Sequence, residues 1–412
     1  MRAYKRLLKY VAINTTSHEE VEKTPSGEGA FALAHLLEDE MKSLGLTDVR
    51  VDEHAYVYGY LPATSGCEGC RSVGFISHLD TVDDCGGTDT RPQLISNYDG
   101  KCIPLGTSGR TLDPNAFPHL KKCRGKTIVT TDGTSVLGAD DKAGIAEIMT
   151  MCERLVEEKR PHGRICVCFT PDEEIGHGAA YLDVEAFGAD FAYTVDGSAP
   201  DEVEYETFNA AAAHLTAHGL SVHPGDAKGR MVNAMKVLME FNSMLPPDEV
   251  PEKTEGREGF YHLTGAGGNV TEATADYILR DHDAEIFARR KQIIQETAER
   301  LNQKYGAGTV DYQIKDQYRN MAEVVAKHPE VVEIAKCAIL AVGLTPVSRP
   351  VRGGTDGAQL SFRGLPCPNL GTGGYAYHGY YEHAVAEEMD QCVEILLEVV
   401  KVIAEKRPET QK

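Results

Sequence analysis

Ile165-Cys-Val-Cys-Phe169-Thr-Pro-Asp172-Glu173-Glu174 is the stretch on which the fold turns, because the most apolar short run in the chain breaks directly into three consecutive acids. A run of that length, ended by a proline and carrying no helical spacing, reads as a fully buried strand. Val73-Gly-Phe-Ile-Ser77, Thr127-Ile-Val-Thr130 and Phe191-Ala-Tyr-Thr-Val195 have the same character, and a helical segment from Ala143 to Lys159 separates the second run from that at Ile165. Strands alternating with helices predict an α/β fold with a mainly parallel, mixed sheet covered on both faces.

Outward from this centre, residues 26 to 45 place Phe31, Leu33, Leu36, Leu37, Met41 and Leu44 at helical spacing before Gly45, the pattern of an amphipathic helix with a glycine stop. From about residue 209 the order changes to strand (Ala211 to Ala217), helix (Val232 to Met244), two strands between 260 and 280, helix (Asp283 to Tyr305) and strand (Thr309 to Lys315). That βαββαβ order predicts a ferredoxin-like α+β unit. Helices then follow at Val331 to Val342, Thr355 to Phe362 and Met389 to Glu405. The expected organisation is a discontinuous catalytic domain, 1–208 and 321–412, with an inserted domain at 209–320.

A chain of 412 residues is too long for one ordinary core, which agrees with two domains. Its 42 basic and 63 acidic residues give a net charge of −21, which repels phosphate backbones and excludes nucleic acid as an expected partner. No apolar run approaches the roughly 18–20 residues of a membrane span, and the basic start Met1 to Tyr10 lacks the apolar core of a signal peptide, so no membrane association is expected. Eleven cysteines without regular spacing suit a reducing compartment, so the expected location is the cytoplasm.

The chemistry sits where apolar runs end. Ser77-His78-Leu79-Asp80 leaves the Val73 run, at the edge where open α/β sheets place ligands. Asp80 there can accept the second N–H of His78 and fix its tautomer toward a metal, although a hydrogen-bonded loop histidine also fits the triplet. Leu137-Gly-Ala-Asp140-Asp141 precedes the helix carrying Ile145, Ile148, Met149, Cys152 and Leu155. One of these carboxylates serves as well as an N-cap, while a carboxylate with both oxygens free can bridge two metal ions about 3.5–4 Å apart.

Three acids at the exit of a buried strand would repel one another severely without cations. One of Glu173 and Glu174 can therefore ligate while the other stays free as a general base, against the plainer reading of an exposed acidic turn. Asp196 closes the Phe191 run, and His378, after a glycine-rich loop, is the remaining partner chosen. Mixed imidazole and carboxylate donors suit zinc, cobalt or manganese. Cys67-Glu-Gly-Cys70 lacks the second pair of a zinc ribbon, and neither HExxH, GxSxG nor GxGxxG occurs, so single-zinc proteases of that type, serine hydrolases and dinucleotide binding recede.

With Ser77-His-Leu-Asp-Thr81, Leu137-Gly-Ala-Asp-Asp-Lys-Ala-Gly-Ile-Ala146, Phe169-Thr-Pro-Asp-Glu-Glu-Ile-Gly176, Thr194-Val-Asp-Gly197, His223-Pro-Gly225 and Arg352-Gly-Gly-Thr-Asp-Gly357 in hand, the chain closely resembles the dimetal M20 exopeptidase family, in particular its tripeptide aminopeptidases. The resemblance implies two divalent metal ions per subunit, zinc foremost with Co2+ or Mn2+ as alternatives. Asp140 would bridge them, with His78 and Asp196 completing one site and Glu174 and His378 the other. It implies that Asp80 orients His78, that Glu173 is the general base, and that His223 and Arg280 contact a short peptide substrate, with Asn269 and Arg352 as further candidates. The inserted domain would then be a lid and dimerisation domain, giving a homodimer. The same metal site could instead serve a dipeptidase or an N-acyl amino acid hydrolase. Gly371, Ala376, Asn269 and the Tyr380-Tyr381-Glu382-His383 run depart from the tripeptidase pattern, and they bear on substrate preference.

Overall fold

The computed structural model describes residues 1–85 and 89–406. The chain forms two compact units. The first comprises Met1–Tyr205, Glu323–Arg349 and Thr355–Lys412, and the second Glu206–Ala322 with the short return Pro350–Gly354.

The first unit is built on a seven-stranded sheet in the order Thr47–Val51, Val57–Leu61, Ile165–Thr170, Val73–His78, Phe191–Gly197, Asn369–Gly371, Val203–Glu204. The central four strands run parallel, and the flanking pairs are antiparallel. Every residue of Val73–His78 and of Ile165–Thr170 is buried, as strands covered on both faces require. Parallel register pairs Val73 with Ile165 and with Phe191, and His78 with Thr170, so strands that start level also end level. The chemically loaded residues after each strand therefore emerge at one edge.

The helix Ala139–Glu157 packs on Val73–His78 and Phe191–Gly197, and the helices Ala3–Tyr10 and Ala386–Glu405 pack on it in turn. Phe75, Phe169 and Phe191 are fully buried, each worth about 1.5–3 kcal/mol against exposure. The basic N-terminal segment is the docked helix Ala3–Tyr10, and its Arg6, only 1% exposed, pairs with Glu40 at 2.6 Å and Glu153 at 3.1 Å.

One expected strand lies elsewhere. Ile128–Thr130 belongs to a separate antiparallel sheet in the order Gly374–Tyr375, His383–Val385, Ile128–Thr130, Gln93–Ile95. An apolar run specifies burial, but pairing with His383–Val385, which lies far off in sequence, decides which sheet receives it.

In the second unit the strands Asn209–His218, Phe260–Gly268, Glu272–Asp281 and Val310–Tyr318 form an antiparallel sheet in the order Phe260–Gly268, Glu272–Asp281, Asn209–His218, Val310–Tyr318. Together with the helices Ala234–Met244 and Ala284–Tyr305, this is the ferredoxin-like arrangement. Ala211, Ala213, Leu215 and Ala217 alternate inward along one strand, and pack in one core with Phe241, Ile294 and Leu301 of the helices.

Candidate metal centre

His78 is the last residue of its strand and is 2% exposed. Its Nε2 lies 2.9 Å from Oδ1 of Asp140 and 3.5 Å from Oδ1 of Asp196. On the other side of the ring, Nδ1 is 3.0 Å from the backbone carbonyl of Asp80 and 3.4 Å from its carboxylate. With a proton held on Nδ1 by these oxygens, Nε2 is the atom that would ligate a metal, and without one it donates to the acids. The expected orientation of His78 by Asp80 thus runs first through main chain.

Asp140 and Asp141 sit near the start of the helix Ala139–Glu157, but their backbones leave helical geometry, with φ and ψ of −82° and 106° at Asp140 and −117° and 30° at Asp141. Asp140 presents its two oxygens to two imidazoles, Oδ1 to His78 and Oδ2 to Nε2 of His378 at 3.2 Å. Asp141 is fully buried and accepts the His78 N–H at 3.1 Å and the Gly144 N–H at 3.3 Å. Gly144 is required there, since a Cβ would run into the Val195 carbonyl oxygen, Asp141 and Ser77. The turn feeding Asp140 is gripped by Glu382, itself 1% exposed, which accepts N–H bonds from Leu137 at 2.7 Å, Gly138 at 2.9 Å and Asp140 at 3.0 Å.

The acidic loop is fixed from several directions. Asp172 adopts φ 58°, a strained value for a non-glycine residue, and its carboxylate accepts the Ser26 N–H and hydroxyl at 2.7–3.0 Å. The Asp80 carboxylate accepts the N–H of Glu173 at 3.0 Å and of Glu174 at 3.2 Å. Behind the loop, Asp356 accepts the Thr170 hydroxyl at 2.8 Å, and burial pushes its carboxyl up to about 7. Glu174 reaches His378 Nε2 at 3.1 Å through Oε2, while its Oε1 is buried with no hydrogen-bond partner. His378 also adopts a left-handed φ of 59°, and with its side chain 48% exposed it opens the cluster to solvent.

The electrostatics follow from this crowding. Burial pushes Asp141, Asp196 and Glu173 well above the ordinary carboxylate range and Glu174 up to about 7. Burial acts to raise Asp140 too, but hydrogen bonds from His378 and His78 hold it well below the ordinary range. Those same bonds to Asp140 and Glu174 push His378 up to about 11. Burial would lower His78, yet Asp196 and Asp140 outweigh it and raise it. Five acids share two imidazoles, and protons alone neutralise the excess at a cost that a divalent cation would remove.

Among the described residues, two groups bring ligand atoms within 4.8 Å of one another: His78, Asp141 and Asp196, and His78, Asp140 and Glu174. The buried, unpartnered Glu174 Oε1 and a donor set of imidazole nitrogen and carboxylate oxygen fit zinc-like divalent ions. Of the ligands expected from the sequence, His78, Asp140, Glu174 and Asp196 fall in these groups, and His378 lies beside them, 3.2 Å from Asp140 and 3.1 Å from Glu174. Asp141 stands closer to His78 and Asp196 than its reading as a helix-start acid suggested.

The expected substrate-binding residues lie in the second unit. His223 is exposed, and its Nδ1 accepts the Gly225 N–H at 3.1 Å. Asn269 caps the turn between two strands, its Oδ1 accepting the Thr271 N–H at 2.8 Å and hydroxyl at 2.6 Å. Arg352 donates to the Gly256 and Glu258 carbonyls at 3.0 and 2.8 Å and to the Thr254 hydroxyl at 2.9 Å. Arg280 donates to the carbonyls of Leu279 at 2.9 Å and Ala211 at 3.3 Å and lies over the Tyr318 ring. Glu382 and Asp172 escaped the sequence reading of roles. Their signal, acids inside otherwise motif-bearing loops, was visible, but their partners were not.

The peptidase family M20/M25/M40 matches residues 137–402. Peptidase T of Clostridium perfringens (strain 13 / Type A) is 49% identical over 98% of this chain and 100% of its own, and peptidase T of Bacillus licheniformis is 48% identical over 97% and 98%. Among solved structures, aminopeptidase PepT from Bacillus cereus ATCC 10987 superposes with a TM-score of 0.78 at 23% identity, covering 98% of both chains. A dinuclear metal binding peptidase of the M20 family from Bacillus subtilis superposes with a TM-score of 0.65 at 12% identity over 98% and 99%. With a family match across most of its length and near-half identity along almost all of it, this chain belongs to peptidase family M20/M25/M40.

Proposed function

We propose that this metallo-exopeptidase releases the N-terminal residue from tripeptides. Asp140 carries the proposal: its two oxygens meet imidazoles from two different loops, at 2.9 Å and 3.2 Å, as a ligand shared by two ions must. His78 and Asp196 would hold one divalent ion, Glu174 and His378 the other, with Asp140 common to both and zinc the expected metal. Such ions, when bound, polarise the peptide carbonyl and lower the pKa of water.

The chain's own residues do the rest. Glu173, on the loop tied to Asp80, takes the proton of the attacking water on its carboxylate and returns it to the leaving amine nitrogen. Asp80 and Asp172 hold the loop so that Glu174 faces His378 while Glu173 stays free for the proton. Arg280 and His223 are proposed to bind the substrate, and the second unit is proposed to act as the lid and to pair two copies of the chain. No helix among the described residues is long and apolar enough to cross a membrane, and we place the enzyme in the cytoplasm, where it would serve peptide catabolism.

Metal analysis of the purified protein combined with a substrate panel tests this reading. Two ions per chain and release of alanine from tri-alanine are expected, with little turnover of dialanine or N-acetylated amino acids. Preference for either of the latter would replace the tripeptidase reading with a dipeptidase or N-acyl amino acid hydrolase on the same metals.

A further inference from the structure

Glu382 has no role in the chemistry above, yet it is almost completely buried and its two oxygens accept three backbone N–H bonds from one turn. Its place in the fold is specific. Immediately after it, His383–Val385 pairs with Ile128–Thr130, His383 opposite Thr130. The chain that leaves Thr130 returns at Leu137 and meets Glu382 directly beyond the end of that strand pair. Before it, the turn closed by the Glu382 N–H on the Gly379 carbonyl at 3.1 Å leads straight back to His378.

One short segment therefore touches Asp140 twice. His378 meets its side chain at 3.2 Å, and Glu382 accepts its backbone N–H at 3.0 Å. Resting on the two-metal reading, we propose that Glu382 is a positioning residue that sets the distance between Asp140 and His378, and so the geometry of the ion held by Asp140, Glu174 and His378. A carboxylate suits the task because only a group with acceptors on both oxygens and no N–H of its own can take all three donors. The backbone charges of that turn are satisfied from inside the protein, leaving the Asp140 carboxylate free for ligation.

The test is calorimetric titration of zinc into metal-free protein. The unmutated chain should bind two ions, and His378→Ala should identify the step that belongs to Glu174 and His378 by weakening it. Glu382→Gln keeps the size of the side chain but turns an N–H toward a backbone donor. It should weaken that same step by about 10–100-fold, as outer partners of metal ligands do, with a smaller change in the other. In a His378→Ala background the Glu382→Gln effect should largely vanish, because the spacing it maintains no longer matters. If Glu382→Gln does not fold, Glu382→Asp retains the charge but withdraws it, and the same selective loss is expected.

Two ions bound with unchanged affinities in the folded variant, an equal fall at both steps, or additive effects in the double variant would each overturn the assignment. A purely structural role would lower the melting temperature of metal-free protein and leave the two affinities in their original ratio. Failure of the unmutated chain to bind two ions would instead remove the two-metal reading itself.

Discussion

The backbone N–H of Glu173 donates to the Asp80 carboxylate at 3.0 Å across 93 residues of sequence. The other Asp80 oxygen takes the Glu174 N–H at 3.2 Å, so a residue expected to serve His78 also positions the proposed base and a proposed ligand. Asp80→Ala should therefore lower kcat by more than loss of metal explains. Metal affinity is expected to fall about 10–100-fold, and kcat at saturating metal should remain depressed. Full recovery of kcat with added zinc would confine Asp80 to metal binding.

Glu173→Ala should retain two ions and lose about 10²–10⁴-fold in turnover, because in the proposed mechanism the side chain moves a proton and ligates nothing. Metal content and kcat measured on the same preparation decide this. Loss of an ion from the variant would mean that Glu173 and Glu174 exchange roles.

Asp140→Ala should weaken both ions together, since its oxygens face His78 and His378 at once. Titration that leaves one step intact would show that Asp140 serves a single ion, with Asp141, which is grouped with His78 and Asp196, completing the other.

Arg280 has no carboxylate partner among the described residues. Asp281 is taken by Arg290 at 2.8 Å, and Asp283 caps the following helix by accepting the Glu285 and Ile286 N–H groups at 2.8 and 2.9 Å. Burial lowers its pKa, but from so high a value that the guanidinium keeps its charge. A buried-edge cation of this kind suits a substrate carboxylate, so Arg280→Ala should raise KM and lower kcat for free tripeptides. The tripeptide amide should already be poor for the unmutated enzyme. Equal cleavage of amide and acid would sink the carboxylate grip.

His383 is fully buried beside His119, with 2.7 Å between their Nε2 atoms, and burial pushes its pKa down to about 3. The unfolded imidazole takes up a proton below about pH 6.5, whereas the folded one resists it. Its contribution to stability is thus present above about pH 6.5 and is lost as pH falls toward 3, at about 1.4 kcal/mol per pH unit. Denaturant unfolding of His383→Gln should show a shallower loss of stability between about pH 6 and 4 than the unmutated chain. Parallel pH profiles would count against this.

Much of the architecture was legible because periodicity is local. Phe31 to Leu44 gave the helix Gly29–Leu44 with Gly45 at its left-handed cap, and the runs at Val73, Ile165 and Phe191 gave three central strands. Acids and histidine at strand exits were equally legible, because a charged residue after a buried run is expensive unless something at the sheet edge uses it. The Thr127 to Thr130 run looked the same locally yet joined another sheet, since its partners His383–Val385 and Gln93–Ile95 carry no mark of it in their own sequence.

By itself the sequence determined which residues are proposed for the chemistry: His78, Asp140, Glu173, Glu174, Asp196 and His378 each follow a buried run or a glycine-bearing loop, and that is a matter of nearest neighbours along the chain. Only the tertiary structure decided how they face one another. Parallel register brings His78 level with Thr170 and sets the acidic loop beside it. Long-range hydrogen bonds accepted by Asp80 from Glu173, by Asp172 from Ser26 and by Glu382 from the Leu137–Asp140 turn then fix which oxygen meets which nitrogen. A hydrogen bond depends on distance and direction in space, and residues far apart in the chain acquire those only once the sheet and its loops have packed.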